Sequence, residues 1–190
     1  DFSYLLACTA SETFKAIAPV AGMMLQHIID SCNQIREVSI LEIHGTNDNV
    51  TLMAGDPTNI DGWGAYPSIP NTISYWVNKY GLTNLASANF LNVDPTDGST
   101  VRSDKYSENN SCSQVWLYTV DGGGHDWPGA GGNMDISAGR EAWLFFDQLC
   151  VNTLEVLEVP PTTARQLISI TDVLGRVSKF KKGQLLIYQY

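Results

Sequence analysis

The apolar residues of this chain follow two different spacings, and each spacing predicts its own kind of element. Nearly continuous apolar runs, typical of strands covered on both faces, occur at residues 14–22, 38–43 and 115–120. One-sided spacings, typical of helices, occur at residues 2–8, 68–81 and 137–149. Strands that alternate with helices in this way predict an α/β fold with a mostly parallel sheet covered by helices.

The two longer helical stretches have predicted inward faces. The first ends at Gly81 and is predicted to pack four residues inward: Ile73, Trp76, Val77 and Tyr80. The second is predicted to pack another four: Ala142, Trp143, Phe146 and Leu149.

Two stretches fall outside this alternation. Residues 83–112 predict a hairpin, with a turn signal at Asp97 and Gly98 and an exposed strand at residues 100–106. Residues 51–70 form a long connection rich in Gly, Pro, Asp and aromatic residues. Connections of this length inside a domain are more often functional than idle.

Composition narrows the class of protein. With 190 residues, 44% apolar and 16% charged, the chain fits one globular domain, or a smaller domain with an appendage. Its net charge of −9 disfavours nucleic acid as a partner, because phosphate binding needs a basic surface. No apolar run approaches the length that spans a bilayer, so we expect no membrane span.

The last part of the chain differs from the rest. Pro160 and Pro161 mark a linker, and strand-like segments follow at residues 166–176 and 183–190. Residues 161–190 hold five basic residues and one acidic residue, although the chain as a whole is acidic. We therefore expect a main domain, a linker and a short β-rich tail at residues 1–150, 151–164 and 165–190.

Four cysteines, Cys8, Cys32, Cys112 and Cys150, allow three complete pairings. No C-x-x-C spacing indicates zinc, and we expect neither a metal nor a cofactor. Two disulfides in a secreted protein is the favoured interpretation. The alternative is four buried thiols, with Cys8 in its apolar helix as one of them.

Candidate chemistry follows two of the predicted strands. The stretch DGGGHDWPG at residues 121–129 places His125 on a glycine-rich loop, and Asp48 lies in the polar loop after another strand. In open parallel sheets, reactive groups gather at the carboxyl ends of strands. A carboxylate that accepts the imidazole Nδ1 hydrogen leaves Nε2 free to take a proton from a nucleophile. The α/β-hydrolase order is serine, then acid, then histidine, and here Asp48 precedes His125.

Simpler interpretations exist for several of these side chains. Asp48 has an alternative as the acceptor of an Asx turn, and Trp127 has one as core packing. His44 is interpreted as a structural residue at a strand end that packs beneath the site. His27, flanked by apolar residues, is interpreted as a surface or hydrogen-bonded structural side chain.

Three motifs in this order resemble one family of α/β hydrolases. They are LAC at 6–8 with IAPVAG at 17–22, HGTND at 44–48, and GGHDWPG at 123–129. Over residues 1–150 the chain is similar to the C-terminal part of the catalytic domain of the extracellular poly(3-hydroxybutyrate) depolymerase and feruloyl esterase family.

This resemblance implies an α/β-hydrolase fold and a serine esterase. The nucleophile would lie in a G-x-S-x-G elbow before Asp1, at the start of the helix that continues as residues 2–8. The chain would then begin inside the domain and be inactive alone. Asp48 would orient the base, His125 would act as general base, and Trp127 would form a wall of the acyl or aromatic-ring pocket.

The function implied is a secreted, extracellular carboxylic-ester hydrolase. Feruloyl or acetyl esters on plant polysaccharide are the expected substrates, because loops at residues 54–66 and 121–132 are placed to line an open groove. A polyhydroxybutyrate depolymerase is the alternative within the class. A different alternative is a non-catalytic pseudo-hydrolase or carbohydrate-binding chain that uses Trp63 and Trp127 as stacking platforms.

The tail carries a second resemblance. ITDVLGR at residues 170–176 and KGQLLIY at residues 182–188 resemble part of the C-terminal sorting domain of type IX secretion. This resemblance implies that the type IX secretion machinery is a partner and that the protein is exported across an outer membrane.

Overall fold

The computed structural model describes residues 1–109, 111–149, 169–172 and 186–189. The chain divides into two compact units, Asp1–Val151 and Asn152–Tyr190. The described elements of the first unit are α1 (Phe2–Thr9), β1 (Ala16–Ile17), α2 (Gln26–Ser31), β2 (Ser39–Gly45), α3 (Ile69–Tyr80), β3 (Asn84–Asn89), β4 (Thr100–Ser107), β5 (Val115–Asp121) and α4 (Ala138–Asp147). The second unit contains β6 (Ser169–Asp172) and β7 (Leu186–Gln189).

The strands of the first unit form one mixed sheet in the order β1-β2-β5-β4-β3. β2 pairs in parallel with β1 and β5, whereas β4 pairs antiparallel with β5 and β3. The broad α/β assignment is confirmed, but the expectation of a mostly parallel sheet is wrong. The reason is that short connections join β3 to β4 and β4 to β5, and parallel neighbours need a longer crossover.

Helices cover both faces of the sheet. One core cluster joins α1, α2 and α3 to β2 and β5, and it includes Tyr4, Ile28 and Trp76. The cluster on the opposite face joins α4 to the sheet, with Phe145 packed against Trp116. The two clusters fix β2 and β5 in the middle of the domain, so the loops that leave these strands start from a rigid base.

The inward face of α4 differs from the predicted one. Phe145 is fully buried, whereas Trp143 is 68% exposed and Phe146 is 43% exposed. Glu141 lies on the buried face, where its carboxylate accepts a hydrogen bond of 3.4 Å from the Tyr118 hydroxyl. Leu149 packs against the core cluster as predicted. The prediction failed for Trp143 and Phe146, because apolar spacing alone cannot identify a buried face that contains a hydrogen-bonded charge.

Two other predictions are confirmed. α3 buries Ile73, Trp76 and Tyr80, and it ends at Gly81 in the left-handed conformation with φ 62°. β3 and β4 form the antiparallel hairpin predicted at residues 83–112. The exposed strand is β3 rather than β4, since β3 is at the sheet edge and β4 is paired on both sides.

The run at residues 14–22 forms less strand than predicted. β1 covers two residues, and one parallel bridge joins Val20 to Ile43 further along. Pro19 has no amide hydrogen to donate, and Ala21 has φ 50°, so a regular strand cannot continue here.

A disulfide joins Cys8 in α1 to Cys32, which follows α2. Cys8 is therefore not the buried thiol of the alternative interpretation. A second disulfide would use Cys150, which lies outside the described residues.

In the second unit, β6 pairs antiparallel with β7, within the two segments predicted to be strand-like. The predicted linker at residues 151–164 lies outside the described residues. Throughout the described part of the chain, no helix has both the length and the apolar composition needed to cross a membrane.

Candidate active site

The loops that follow β2 and β5 are joined by hydrogen bonds at the carboxyl ends of these parallel strands. The Thr46 amide donates to the Val120 carbonyl at 2.9 Å, and the Asn47 amide donates to the Gly123 carbonyl at 2.8 Å. In return, the Gly122 amide donates to the Thr46 hydroxyl at 2.9 Å. The two loops therefore hold a fixed position relative to each other.

Glycine makes this close approach possible at one position in particular. A Cβ on Gly45 would lie 2.5 Å from the Gly124 carbonyl oxygen and closer still to that of Gly123. Both of these obstacles are backbone, which cannot swing aside as a side chain can. Gly45 thus lets the loop that carries His125 lie directly against the end of β2.

Asp48 is held by a tight turn after β2. Its Oδ1 accepts hydrogen bonds of 2.9 Å from the amides of Val50 and Thr51, and its Oδ2 accepts one of 3.0 Å from the Thr51 hydroxyl. Burial alone would raise the pKa of Asp48, but the hydrogen bonds from the Val50 amide, His125 and Thr51 lower it below its ordinary value. Asp48 is therefore a buried carboxylate with a fixed orientation.

The structure brings together the two residues predicted to act as acid and base. His125 Nδ1 lies 2.9 Å from Asp48 Oδ2 and 3.2 Å from Oδ1. Because an ionised carboxylate only accepts hydrogen bonds, Nδ1 carries the hydrogen and Nε2 is the unprotonated nitrogen of the neutral ring. The His125 side chain is 41% exposed while that of Asp48 is fully buried. Buried Asp48 thus orients the His125 imidazole, while part of the ring is open to solvent.

Thr51 completes the support of this pair from the buried side. Its hydroxyl lies 3.4 Å from His125 Nδ1 and 2.8 Å from the Ala21 carbonyl oxygen. Since Thr51 approaches the Nδ1 side of the ring, it is placed to orient His125 and not to be activated by Nε2.

Sequence reasoning missed the role of Glu42 and left His44 as a packing residue. Both side chains are fully buried, and His44 Nδ1 lies 3.0 Å from Glu42 Oε1. His44 Nε2 lies 3.6 Å from Asp48 Oδ2, so the pair lies directly beneath the Asp48 carboxylate. The signal that could have found Glu42 is a single carboxylate inside the apolar run at residues 38–43.

The amino end of α1 lies close to the same residues. The Tyr4 hydroxyl donates a hydrogen bond of 2.8 Å to Glu42 Oε2. α1 therefore begins beside the buried charges that support Asp48.

The two predicted aromatic binding residues are on the surface. Trp127 is 54% exposed and Trp63 is 62% exposed. No hydrogen bond or ring contact joins either indole to Asp48 or His125 within the described residues. The alternative of Trp127 as a core residue is wrong.

A polar cleft of about 320 Å³ adjoins the joined loops, lined by residues that include Thr46, Asn47, Asp121 and Gly122. A second cleft of about 460 Å³ shares Thr100 and Asp121 with it. The first cleft touches the base of the loop that carries His125, the second follows β4 and β5, and Asp48 and His125 line neither of the two.

No protein-family model matches this chain, and a search of curated proteins finds no matching relative.

Proposed function

We propose that this chain is the C-terminal part of the catalytic domain of a secreted serine carboxylic-ester hydrolase with the α/β-hydrolase fold. The observation that carries the proposal is the hydrogen bond of 2.9 Å between Asp48 Oδ2 and His125 Nδ1. The two residues come from the ends of neighbouring parallel strands, as the acid and base of such enzymes do.

In this mechanism His125 Nε2 takes the proton of a serine hydroxyl while the serine oxygen attacks the ester carbonyl. The tetrahedral intermediate collapses, the protonated His125 gives the proton to the leaving alkoxide, and an acyl-enzyme remains. Water then repeats both steps and releases the acid. Asp48 holds the tautomer and stabilises the imidazolium in each half of the reaction.

The proposal assigns the nucleophile to a glycine-flanked serine ahead of Asp1. The position of α1 supports this assignment, because its first turn contacts the buried Glu42 carboxylate, whose partner His44 lies 3.6 Å from Asp48 Oδ2. In the nucleophile elbow of these enzymes the serine stands at such a helix start. The 190-residue chain alone is then expected to hydrolyse no ester.

Feruloyl or acetyl esters on polysaccharide are the proposed substrates. Exposed Trp63 and Trp127 offer apolar faces to an aromatic acyl group or a sugar ring. The polar cleft beside Asn47 and Asp121 supports a hydrophilic chain better than an aliphatic polyester.

The test uses the protein extended upstream to include the proposed serine. His125→Ala is expected to lower kcat for a feruloyl ester by several orders of magnitude, and Asp48→Asn by about 10⁴-fold, because the tautomer is lost. His27→Ala is the matched control, since His27 is exposed on α2. Activity of the His125 variant within a few-fold of the parent would sink the assignment.

A carbohydrate-binding protein without catalysis is the second candidate, favoured by the exposure of Trp63 and Trp127. Titration calorimetry with xylan oligosaccharides separates the two. Binding that is lost in Trp63→Ala and Trp127→Ala, together with an upstream segment that has Gly or Ala in place of the serine, would favour this candidate.

A further inference from the structure

His44 lies beneath Asp48, the partner of His125, and forms a fully buried pair with Glu42. Three donors converge on the Glu42 carboxylate: the Tyr4 hydroxyl at 2.8 Å, the Gly22 amide at 3.0 Å and His44 Nδ1 at 3.0 Å. Glu42 and His44 come from the same strand, two residues apart, so both point to the same face of the sheet.

The hydrogen bonds of this pair define how many protons it holds. His44 Nε2 lies 2.7 Å from the Thr51 carbonyl oxygen, which can only accept, so Nε2 carries a hydrogen. The contact between Nδ1 and Glu42 Oε1 needs one more hydrogen. Because Tyr4 and Gly22 already donate to Glu42, the arrangement favours a carboxylate and an imidazolium.

The pKa values of Glu42 and His44 are both raised, which favours a proton that the pair retains. Burial raises the pKa of the Glu42 carboxyl. Burial opposes the charge on His44, but the hydrogen bond and the charge of Glu42 outweigh it and raise the imidazole pKa. The other ionisable side chains that act on the pair are Tyr4 and Asp48.

Thr51 connects the pair of Glu42 and His44 to Asp48, which in turn contacts His125. Its carbonyl accepts the hydrogen bond from His44, while its amide and hydroxyl both donate to Asp48. His44 Nε2 also lies 3.6 Å from Asp48 Oδ2, where a positive imidazolium stabilises the carboxylate. A change at His44 is thus transmitted through one residue to Asp48 and from there to His125.

We propose that His44, held as an imidazolium by Glu42, is a positioning residue that fixes the turn at Thr51 and so aims Asp48 at His125. As a statement about catalysis, this inference rests on the proposed esterase function. Its effect on which nitrogen of the His125 ring carries the hydrogen can be measured by NMR, even if the protein has no catalytic activity.

The first experiment is nitrogen-detected NMR of the three histidines in the intact chain, which has only His27, His44 and His125. At neutral pH both ring nitrogens of His44 are expected to be protonated, while His125 carries its hydrogen on Nδ1. A singly protonated His44 ring at neutral pH would overturn the imidazolium assignment.

Substitutions then test the positioning role. Glu42→Gln keeps the shape of the side chain but removes its charge, and His44→Gln keeps a donor for the Thr51 carbonyl. Both are expected to lower the fraction of His125 with the hydrogen on Nδ1, and His44→Leu, which has no donor, is expected to lower it further. His27→Gln is the matched control.

In the upstream-extended protein, Glu42→Gln and His44→Gln should each lower kcat about tenfold with little change in KM. The reason is that they remove a charge-assisted hydrogen bond and not a substrate contact. His44→Gln should retain more activity than His44→Leu. An unchanged His125 tautomer in both Glu42→Gln and His44→Gln would overturn the positioning role. If the parent hydrolyses no ester, the proposed function fails while the NMR result still decides the role of His44.

Discussion

Asp48 combines two tasks that are usually considered as alternatives. Its Oδ1 accepts the amides of Val50 and Thr51, as in an Asx turn, and its Oδ2 faces His125 Nδ1. The turn amides fix Oδ1, while Oδ2 accepts from the Thr51 hydroxyl and lies nearest to the imidazole, so the local motif orients the carboxylate towards His125. The same hydrogen bonds hold the charge on the carboxylate in the folded state.

The lowered pKa of Asp48 makes stability depend on pH in a defined direction. A carboxyl whose pKa is lower in the folded than in the unfolded state stabilises the fold above its unfolded pKa of ~3.9. This contribution is lost as the pH falls through the folded pKa. We expect wild type to exceed Asp48→Asn in free energy of unfolding at about pH 7, with a smaller difference at about pH 3. Urea unfolding at both pH values measures this, and an equal difference at the two would contradict it.

Gly45 provides a second residue-scale prediction. Gly45→Ala forces the backbone at Gly123 and Gly124 to move, so it should destabilise the domain by about 2 kcal/mol and disturb the contact between Asp48 and His125. Gly131→Ala is the matched control because a Cβ there meets nothing within 4 Å. Urea unfolding gives the first effect and the NMR signal of His125 the second. Equal stability of the two variants would show that the loops adapt to the extra carbon.

At the scale of elements, one covalent bond holds α1 to the chain segment after α2. The Cys8 and Cys32 disulfide closes a loop with a sequence separation of 24 residues. Loop-closure entropy predicts that the Cys8→Ser, Cys32→Ser double variant loses about 3 kcal/mol of stability. Guanidinium unfolding of the oxidised parent and the variant tests this. Wild type treated with a reductant should lose at least as much stability as the variant, and a parent that is unaffected by reduction would contradict the prediction.

Local spacing identified most elements but not the way they assemble. α3 and β5 were predicted because apolar spacing, a glycine at the end of the helix and flanking polar loops are all local signals. The inward face of α4 was not, because buried Glu141 looks like a surface residue in the sequence. The antiparallel pairing of β4 with β5 depends on connection length and strand order, which no hydrophobic pattern encodes.

The residues of the candidate site also fall into those that local sequence signals predict and those that they do not. Asp48 and His125 each follow a strand and carry reactive groups, so their meeting could be predicted from the general placement of sites in parallel sheets. Glu42 and Thr51 could not, because their roles come from tertiary hydrogen bonds across several elements. A carboxylate within an apolar strand is the local sign that such a network exists.

At the scale of the whole molecule, the chain combines an acidic main unit with a short basic tail. The first compact unit ends at Val151, and residues 161–190, with five basic residues and one acidic residue, lie in the second. The resemblance of this tail to a type IX sorting domain predicts that the secretion machinery recognises it, while the proposed hydrolysis belongs to the first unit. The two functions should therefore be separable by deletion.

Deletion of residues 161–190 from the upstream-extended protein is expected to leave ester hydrolysis unchanged and to abolish export in a bacterium with type IX secretion. The physical reason is that Asp48 and His125 are held by contacts within the first unit, whereas the machinery would have to bind the tail itself. A tail with the same residues in scrambled order keeps the basic charge and removes the pattern of β6 and β7. Export of the scrambled protein would mean that charge alone is recognised, and export of the deleted protein would remove the secretion role of the tail.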